Sequence, residues 1–169
     1  MFIPFDKISE KARTWIFASE KELNAGHKEF IRNKLQQFTS NWQSHNKDVL
    51  SSFQIIDNYF IIIAADEDFS DISGCGIDKS MHIIQEIEQS IHVSLTNKAL
   101  LHFQKDNLIK VVKLSQMKTF VSENEILPTD IYYNILVSNT KEVREHFRIP
   151  AISTWLKKYF TDQEIKIIP

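Results

Sequence analysis

The scarcity of glycine constrains this chain more than any other feature of its sequence. Only Gly26, Gly74 and Gly76 occur among 169 residues, where average usage of about 7% would give roughly a dozen. Glycine is the residue that lets a backbone enter left-handed turns or approach a ligand closely. Folds built on repeated glycine-rich loops are therefore disfavoured, and the pair at 74 and 76 marks one segment for attention.

The remaining composition is typical of an ordinary globular domain. Hydrophobic residues make up 43% and charged residues 25% of the chain, and 20 Lys and Arg against 22 Asp and Glu leave a net charge of −2. Nucleic acid is disfavoured as a partner, because phosphate recognition needs clustered Lys and Arg. No apolar run approaches the roughly 20 residues that span a bilayer. We expect a cytoplasmic protein that does not insert into a membrane.

Hydrophobic periodicity divides the first 114 residues into strands and helices in the order β-α-β-β-α-β-β. The predicted elements are a strand at 13–18, a long amphipathic helix over 23–42 with Ser19 as N-cap, a hairpin over 53–65 that turns at Asp57 and Asn58, a helix over 77–91 with Asp78 as N-cap, and a hairpin of strands 99–104 and 108–114. This order predicts an α+β fold of the ferredoxin-like (split β-α-β) type, a two-layer sandwich with an extra strand.

The last third of the chain has weaker patterning. We expect a short helix over 114–121, a buried strand over 131–137, a helix over 140–147 and, after Pro150, a final amphipathic helix that carries Trp155. No linker-like composition separates these parts. The sequence therefore predicts a single domain, 1–169, with a core over 1–114 and a mixed, mainly helical C-terminal extension over 115–169.

The richest local chemistry lies between Ser73 and His82. A phosphate-binding P-loop has the form G-x-x-x-x-G-K-S/T, because successive backbone amides must curl around the phosphates. Lys79 and Ser80 fit this form, but Ser73 and Asp78 stand where its two glycines belong. A P-loop ATPase is therefore not supported.

Cys75, the only cysteine, permits two interpretations. A thiol at a helix start can have a lowered pKa and act as a nucleophile, with His82 or Asp78 assisting. A lone cysteine between two glycines is more often unreactive and structural. In either case no intramolecular disulfide can form.

Metal and cofactor sites find little support. The acidic loop with Asp66, Glu67, Asp68 and Asp71 lacks the spacing of a calcium-binding loop. None of the six histidines forms an H-x-x-x-H or H-E-x-x-H pair, so a zinc site is not supported. We expect no metal and no cofactor.

Together these residues resemble a family of short bacterial proteins that are often labelled ABC transporter ATPase. The resemblance spans nearly the whole chain, and the matching residues are Pro4-Phe5-Asp6, Arg13-x-Trp15-Ile16, Gln37-Phe38 with Trp42 and His45, Asn58-x-Phe60, Ser73-Gly74-Cys75-x-Ile77-Asp78-x-Ser80, Ile84-Gln85, Pro150-Ala151, Trp155-Leu156 and Tyr159-Phe160. Gly76 and Lys79 depart from the small hydroxyl residues expected there. The resemblance implies a shared fold and a shared loop but no reaction. The ATPase label finds no P-loop here to support it.

Three functions remain open. The first is a small module that binds a ligand or a partner protein through Ser73, Gly74, Gly76, Lys79 and Ser80. The second is a cysteine-dependent enzyme in which Cys75 is the nucleophile and His82 or Asp78 assists. The third is homodimerisation through the C-terminal helix, which deletion of 151–169 would abolish.

Overall fold

A computed structural model describes residues 1–44, 46–68 and 74–161, without the side chains of 74–76. Its elements are, in chain order, β1 (Arg13–Ala18), α1 (Ala25–Asn41), β2 (Gln43–Ser44), β3 (Lys47–Asp48), β4 (Ser51–Ile56), β5 (Phe60–Ala65), α2 (Gly74–Ile91), β6 (Leu100–Lys105), β7 (Leu108–Lys113), α3 (Met117–Ser122), β8 (Ile131–Tyr133), α4 (Thr140–His146) and β9 (Arg148–Pro150), with short 3-10 helices at Leu114–Gln116, Ala151–Ser153 and Trp155–Tyr159. Helices and antiparallel sheets together make this an α+β protein.

The chain divides into two compact units. Unit 1 comprises residues 1–97 and 136–144, and unit 2 comprises 98–135 and 145–169. Unit 1 thus takes a segment from the last third of the chain, and the hairpin β6–β7 lies in unit 2. This division differs from the core of 1–114 and the extension of 115–169 expected above, and the single domain over 1–169 stays a prediction.

Unit 1 is built on a three-stranded sheet in the order β1-β5-β4. Both outer strands pair antiparallel with β5, so β1 and β4 run in the same direction on either side of it. The predicted turn between β4 and β5 is confirmed, since Asp57 and Asn58 both have positive φ. These are residues that tolerate the left-handed conformation.

Both long helices contribute to the core of unit 1. Ile31 and Leu35 of α1 and Ile84 and Ile87 of α2 are fully buried and pack in one cluster with one face of the sheet. Their spacing of three or four residues places each pair on one face of its helix. The two predicted helices therefore exist and bury the faces that their periodicity indicates.

The predicted starts of these helices were wrong. Helix α1 begins after Asn24, whose side chain accepts a hydrogen bond of 2.8 Å from the His27 amide. Ser19 instead donates its hydroxyl to the Lys21 carbonyl at 2.5 Å, so a local turn competes with the cap. Helix α2 already begins at Gly74, which places Asp78 inside the helix instead of at its N-cap.

Unit 2 contains a four-stranded sheet in the order β7-β6-β8-β9. The predicted hairpin is confirmed: Lys105 pairs with Leu108, and Asp106 in the turn has positive φ. The ferredoxin-like arrangement is not confirmed, because the strand predicted at 99–104 pairs with β7 and β8 in this second sheet. The α+β class holds.

The C-terminal segment does not form the predicted amphipathic helix within the described residues. Two 3-10 helices, Ala151–Ser153 and Trp155–Tyr159, are separated by Thr154 in an extended conformation. The Thr154 hydroxyl donates to the Ala151 carbonyl at 2.8 Å and accepts from the Leu156 amide at 3.2 Å. This one side chain ends one helix and caps the next. Residues 162–169 lie outside the described part.

Candidate functional site

A groove between α1 and α2 in unit 1 collects part of the predicted site. Its volume is about 650 Å³, within the usual range of small-molecule sites. The lining residues are Lys34, Gln37, Phe38, Asn41 and Trp42 from α1 and its end, Gln43 from β2, and Asp78, Lys79, His82, Ile83 and Glu86 from α2. Three predicted site residues, Asp78, Lys79 and His82, are therefore brought together.

Of the other predicted ligand-binding residues, Ser80 does not line the groove. Ser80 is 1% exposed and donates its hydroxyl to the Ile77 carbonyl at 2.7 Å, so its side chain is directed into the protein. Gly74 and Gly76 lie in the first turns of α2. Ser73 is outside the described residues, and the ligand-binding role of this group stays a prediction.

Aromatic side chains form the inner wall of the groove. The rings of Phe38 and Trp42 lie 4.9 Å apart at 34°, and Trp15 contacts Trp42 at 6.0 Å between ring centroids. Trp42 is 2% exposed, whereas Phe38 is half-buried. Aromatic pairs of this kind bury much apolar area, so Phe38 offers a partly exposed ring that is backed by the buried Trp42.

The charged residues of the groove balance one another. Lys79 donates to the Gln43 carbonyl at 3.1 Å, and Lys34 lies 3.8 Å from the Glu86 carboxylate. With Asp78, the lining holds two cations and two anions. Such a site favours a neutral or zwitterionic ligand, since a singly charged one would lack net attraction.

The helix geometry also bears on the cysteine hypothesis. Residues 75 and 82 both lie in α2, and seven residues of helix rise about 10.5 Å. This backbone separation disfavours His82 as a base in direct contact with a nucleophile at 75. Asp78 and His82, four residues apart on the same helix, are neighbours on one face. The Cys75 side chain lies outside the described part.

The sequence reasoning missed every groove residue contributed by α1. The signal was present, because Phe38 and Trp42 recur at a spacing of four on a helix. A spacing of four predicts a buried helix face as readily as a binding surface. The groove exists only because α2 packs beside α1. Aromatic residues at the edge of a buried helix face are therefore the sequence signal for this wall of the groove.

The acidic loop behaves as an ordinary surface segment where it is described. Arg13 pairs with Glu67 at 3.1 Å, and the Asp66 carboxylate accepts from the Asp68 amide at 3.1 Å. Asp71 falls outside the described residues. Within the described ranges no cluster of three His, Cys, Asp or Glu side chains is arranged to hold a metal ion.

No helix in the described ranges is both long and apolar enough to cross a bilayer. Comparison with protein-family models, with curated proteins and with solved structures finds no match.

Proposed function

We propose that this chain is a binding module that holds a small ligand in the groove between α1 and α2. The observation that carries the proposal is the groove itself, about 650 Å³ in volume, with an aromatic wall and a charge-balanced rim. Asp78, Lys79 and His82 supply polar contacts from α2, and Phe38 supplies apolar area from α1. The ligand class is a compact neutral or zwitterionic molecule with an apolar ring or chain.

Indole is a suitable probe, because it is neutral, flat and apolar. Titration of the ¹⁵N-labelled chain with indole should shift the backbone amide signals of Phe38, His82 and Ile83 in two-dimensional NMR spectra. Phe38→Ala removes the partly exposed ring of the aromatic wall and should weaken indole binding about tenfold, a change of about 1.4 kcal/mol.

The matched control is Phe120→Ala, since Phe120 is also half-buried but belongs to unit 2. This variant should bind indole as the unchanged chain does. Shifts confined to other regions, or equal binding by both variants, would contradict the proposal.

A cysteine-dependent enzyme is the second candidate, favoured by the position of Asp78, which lines the groove three residues after Cys75 on the same helix. It requires an accessible thiolate at Cys75. The rate of alkylation of the native chain as a function of pH measures this. An apparent pKa well below about 8.5 would support the enzyme, and protection until unfolding would oppose it.

We also infer that unit 1 is related to a ferredoxin-like sandwich in which the fourth strand is missing. The order β1-β5-β4 with two helices supports this. The position beside β1 is taken by short segments that contain Leu95 and Ser138, which accept hydrogen bonds from Ala18 and Thr14. The resemblance to the family labelled ABC transporter ATPase stays a prediction.

A further inference from the structure

Within the described residues, the backbone of the outer edge of β4 is paired only at its start, where the Phe2 ring also lies 5.7 Å from the Phe53 ring. Ser51 donates to the Met1 carbonyl and accepts from the Ile3 amide, both at 3.0 Å, so its backbone groups are directed away from β5. Backbone groups alternate in direction along an antiparallel strand. Those of Phe53 and Ile55 are therefore also directed outward, and no described backbone group pairs with them.

Nothing in the composition of β4 discourages a further strand. The segment Ser51–Ile56 reads SSFQII. It contains neither a charged residue nor a proline, and these are the residues that usually protect sheet edges. The chain itself already pairs with this edge at one position, since Phe2 forms an isolated parallel bridge with Ser51. This edge is thus competent for strand addition.

A second groove runs beside this edge. Its volume is about 450 Å³, and it is lined by Arg32, Asn33 and Gln36 of α1 and by Phe53, Gln54 and Ile55 of β4. The side chains of Phe53 and Ile55 are half-buried and pack at the margin of the core. A strand added to β4 would place alternate side chains over this groove.

Arg32 determines the chemistry that suits the groove. It is the one charged lining residue, and it makes no hydrogen bond or ion pair with any part of the chain that the structure describes. Antiparallel pairing of β4 with a second copy would bring two Arg32 residues to the same groove, where like charges repel. A carboxylate on the added strand would complement it.

We propose that the edge of β4 is a docking surface for an extended acidic segment of a partner protein, which adds a strand at Phe53 and Ile55 and directs a carboxylate towards Arg32. The backbone hydrogen bonds supply most of the affinity and the carboxylate supplies the preference. This surface is separate from the groove between α1 and α2, so a negative result for one proposal does not affect the other.

The test uses the full chain and three capped hexapeptides of alternating threonine and valine, in which one central position carries glutamate, glutamine or lysine. In NMR titrations the glutamate peptide should shift the amide signals of Phe53 and Ile55 and slow their hydrogen exchange. It should bind about two- to fivefold more tightly than the glutamine peptide, as expected for an exposed ion pair. Arg32→Glu should reverse the order, so that the lysine peptide binds best.

Lys118→Glu is the matched control, because it makes the same change of charge at an exposed position of unit 2 and should leave the order unchanged. Unchanged Phe53 and Ile55 signals with every peptide would overturn the docking surface. Equal affinity for all three peptides would overturn the acidic partner. A further outcome is that the free chain dimerises in a concentration-dependent way and that Arg32→Glu strengthens or abolishes the dimer. That result would show that a second copy of this chain, and not an acidic partner, occupies the edge.

Discussion

The two outer edges of the sheet in unit 1 differ in how they are covered. Along β1, the amide of Thr14 donates to Ser138 at 2.8 Å and that of Ala18 donates to Leu95 at 3.2 Å, so both ends of the edge are paired. Along β4, only the start is paired by any described residue, namely by the N-terminal segment. The same sheet therefore has one edge closed by its own loops and one edge available for another strand.

This difference shows how an edge is closed without a complete strand. The segment after α2 is held by Glu88, whose carboxylate accepts from the amide of Leu95 at 2.8 Å and from the Thr96 hydroxyl at 3.1 Å. Leu95 itself is 1% exposed and belongs to the core. Burial of an apolar side chain and one carboxylate thus fix a loop where regular pairing is absent.

The largest expected effect separates the two edges by stability. Leu95→Ala should lower the free energy of unfolding by about 3 kcal/mol, because it leaves a cavity in the core. Ile55→Ala, on the open edge, should cost about 1 to 2 kcal/mol, since Ile55 is only half-buried. Urea denaturation followed by tryptophan fluorescence gives both values. Equal losses would show that the closed edge is no better packed than the open one.

Hydrogen exchange compares the two edges without substitution. We expect the outward amides of Phe53 and Ile55 to exchange at least about 100-fold faster than those of Thr14 and Ala18, because only the latter two donate hydrogen bonds to a described residue. Exchange of the native chain into deuterated water, followed by NMR, measures the four rates. Comparable protection at all four positions would mean that something covers the edge of β4.

The closure of β1 should depend on pH. Burial acts to raise the pKa of Glu88, but hydrogen bonds from Leu95, Ser94 and Thr96 outweigh it and hold the pKa below the ordinary value of 4.5. Because the pKa is lower in the folded chain, the carboxylate stabilises the fold at pH values above its ordinary pKa. This stabilisation is lost as the pH falls through the pKa of the folded chain.

Glu88→Gln should therefore lower the free energy of unfolding at neutral pH by about 1 kcal/mol and reduce its decline below pH 4.5. Denaturation at a series of pH values tests this. Glu123→Gln, at an exposed position of unit 2, is the control and should retain the decline. An unchanged pH profile in Glu88→Gln would indicate that the loop is held by Leu95 alone.

The smallest expected effect lies at the open edge. Arg32 is exposed, so Arg32→Glu should change the free energy of unfolding by less than about 0.5 kcal/mol. Thermal denaturation of this variant beside the unchanged chain measures the difference. A larger loss would give Arg32 a structural role and weaken its assignment to partner recognition.

Local chemistry was the part of the fold that could be predicted. The turns at Asp57 and at Asp106 followed from residues that tolerate positive φ, and the buried faces of α1 and α2 followed from spacing. The helix starts were mispredicted although Ser19 and Asp78 are both residue types that cap helices. Ser19 bonds to the Lys21 carbonyl in a local turn, and Asp78 lies inside α2. Residue type alone does not distinguish a cap from a turn.

The candidate site was predicted in part for a similar reason. Asp78, Lys79 and His82 were selected because they are polar and close in sequence, and they do line one groove. Ser80, equally polar, is directed inward. Phe38 and Trp42 lie about 40 residues away, and nothing local indicates that α1 forms the opposite wall.

The sequence by itself determined the elements that arise within a few residues: two hairpins, two long helices and their apolar faces. These depend on turn conformations and on side-chain spacing, which are local properties of the chain. Only the tertiary structure decided which strands share a sheet, which loops close β1 and which grooves flank α1. Those outcomes depend on packing between segments far apart in sequence. The stabilising free energy arises only when two such segments meet, so it cannot be read from either segment alone.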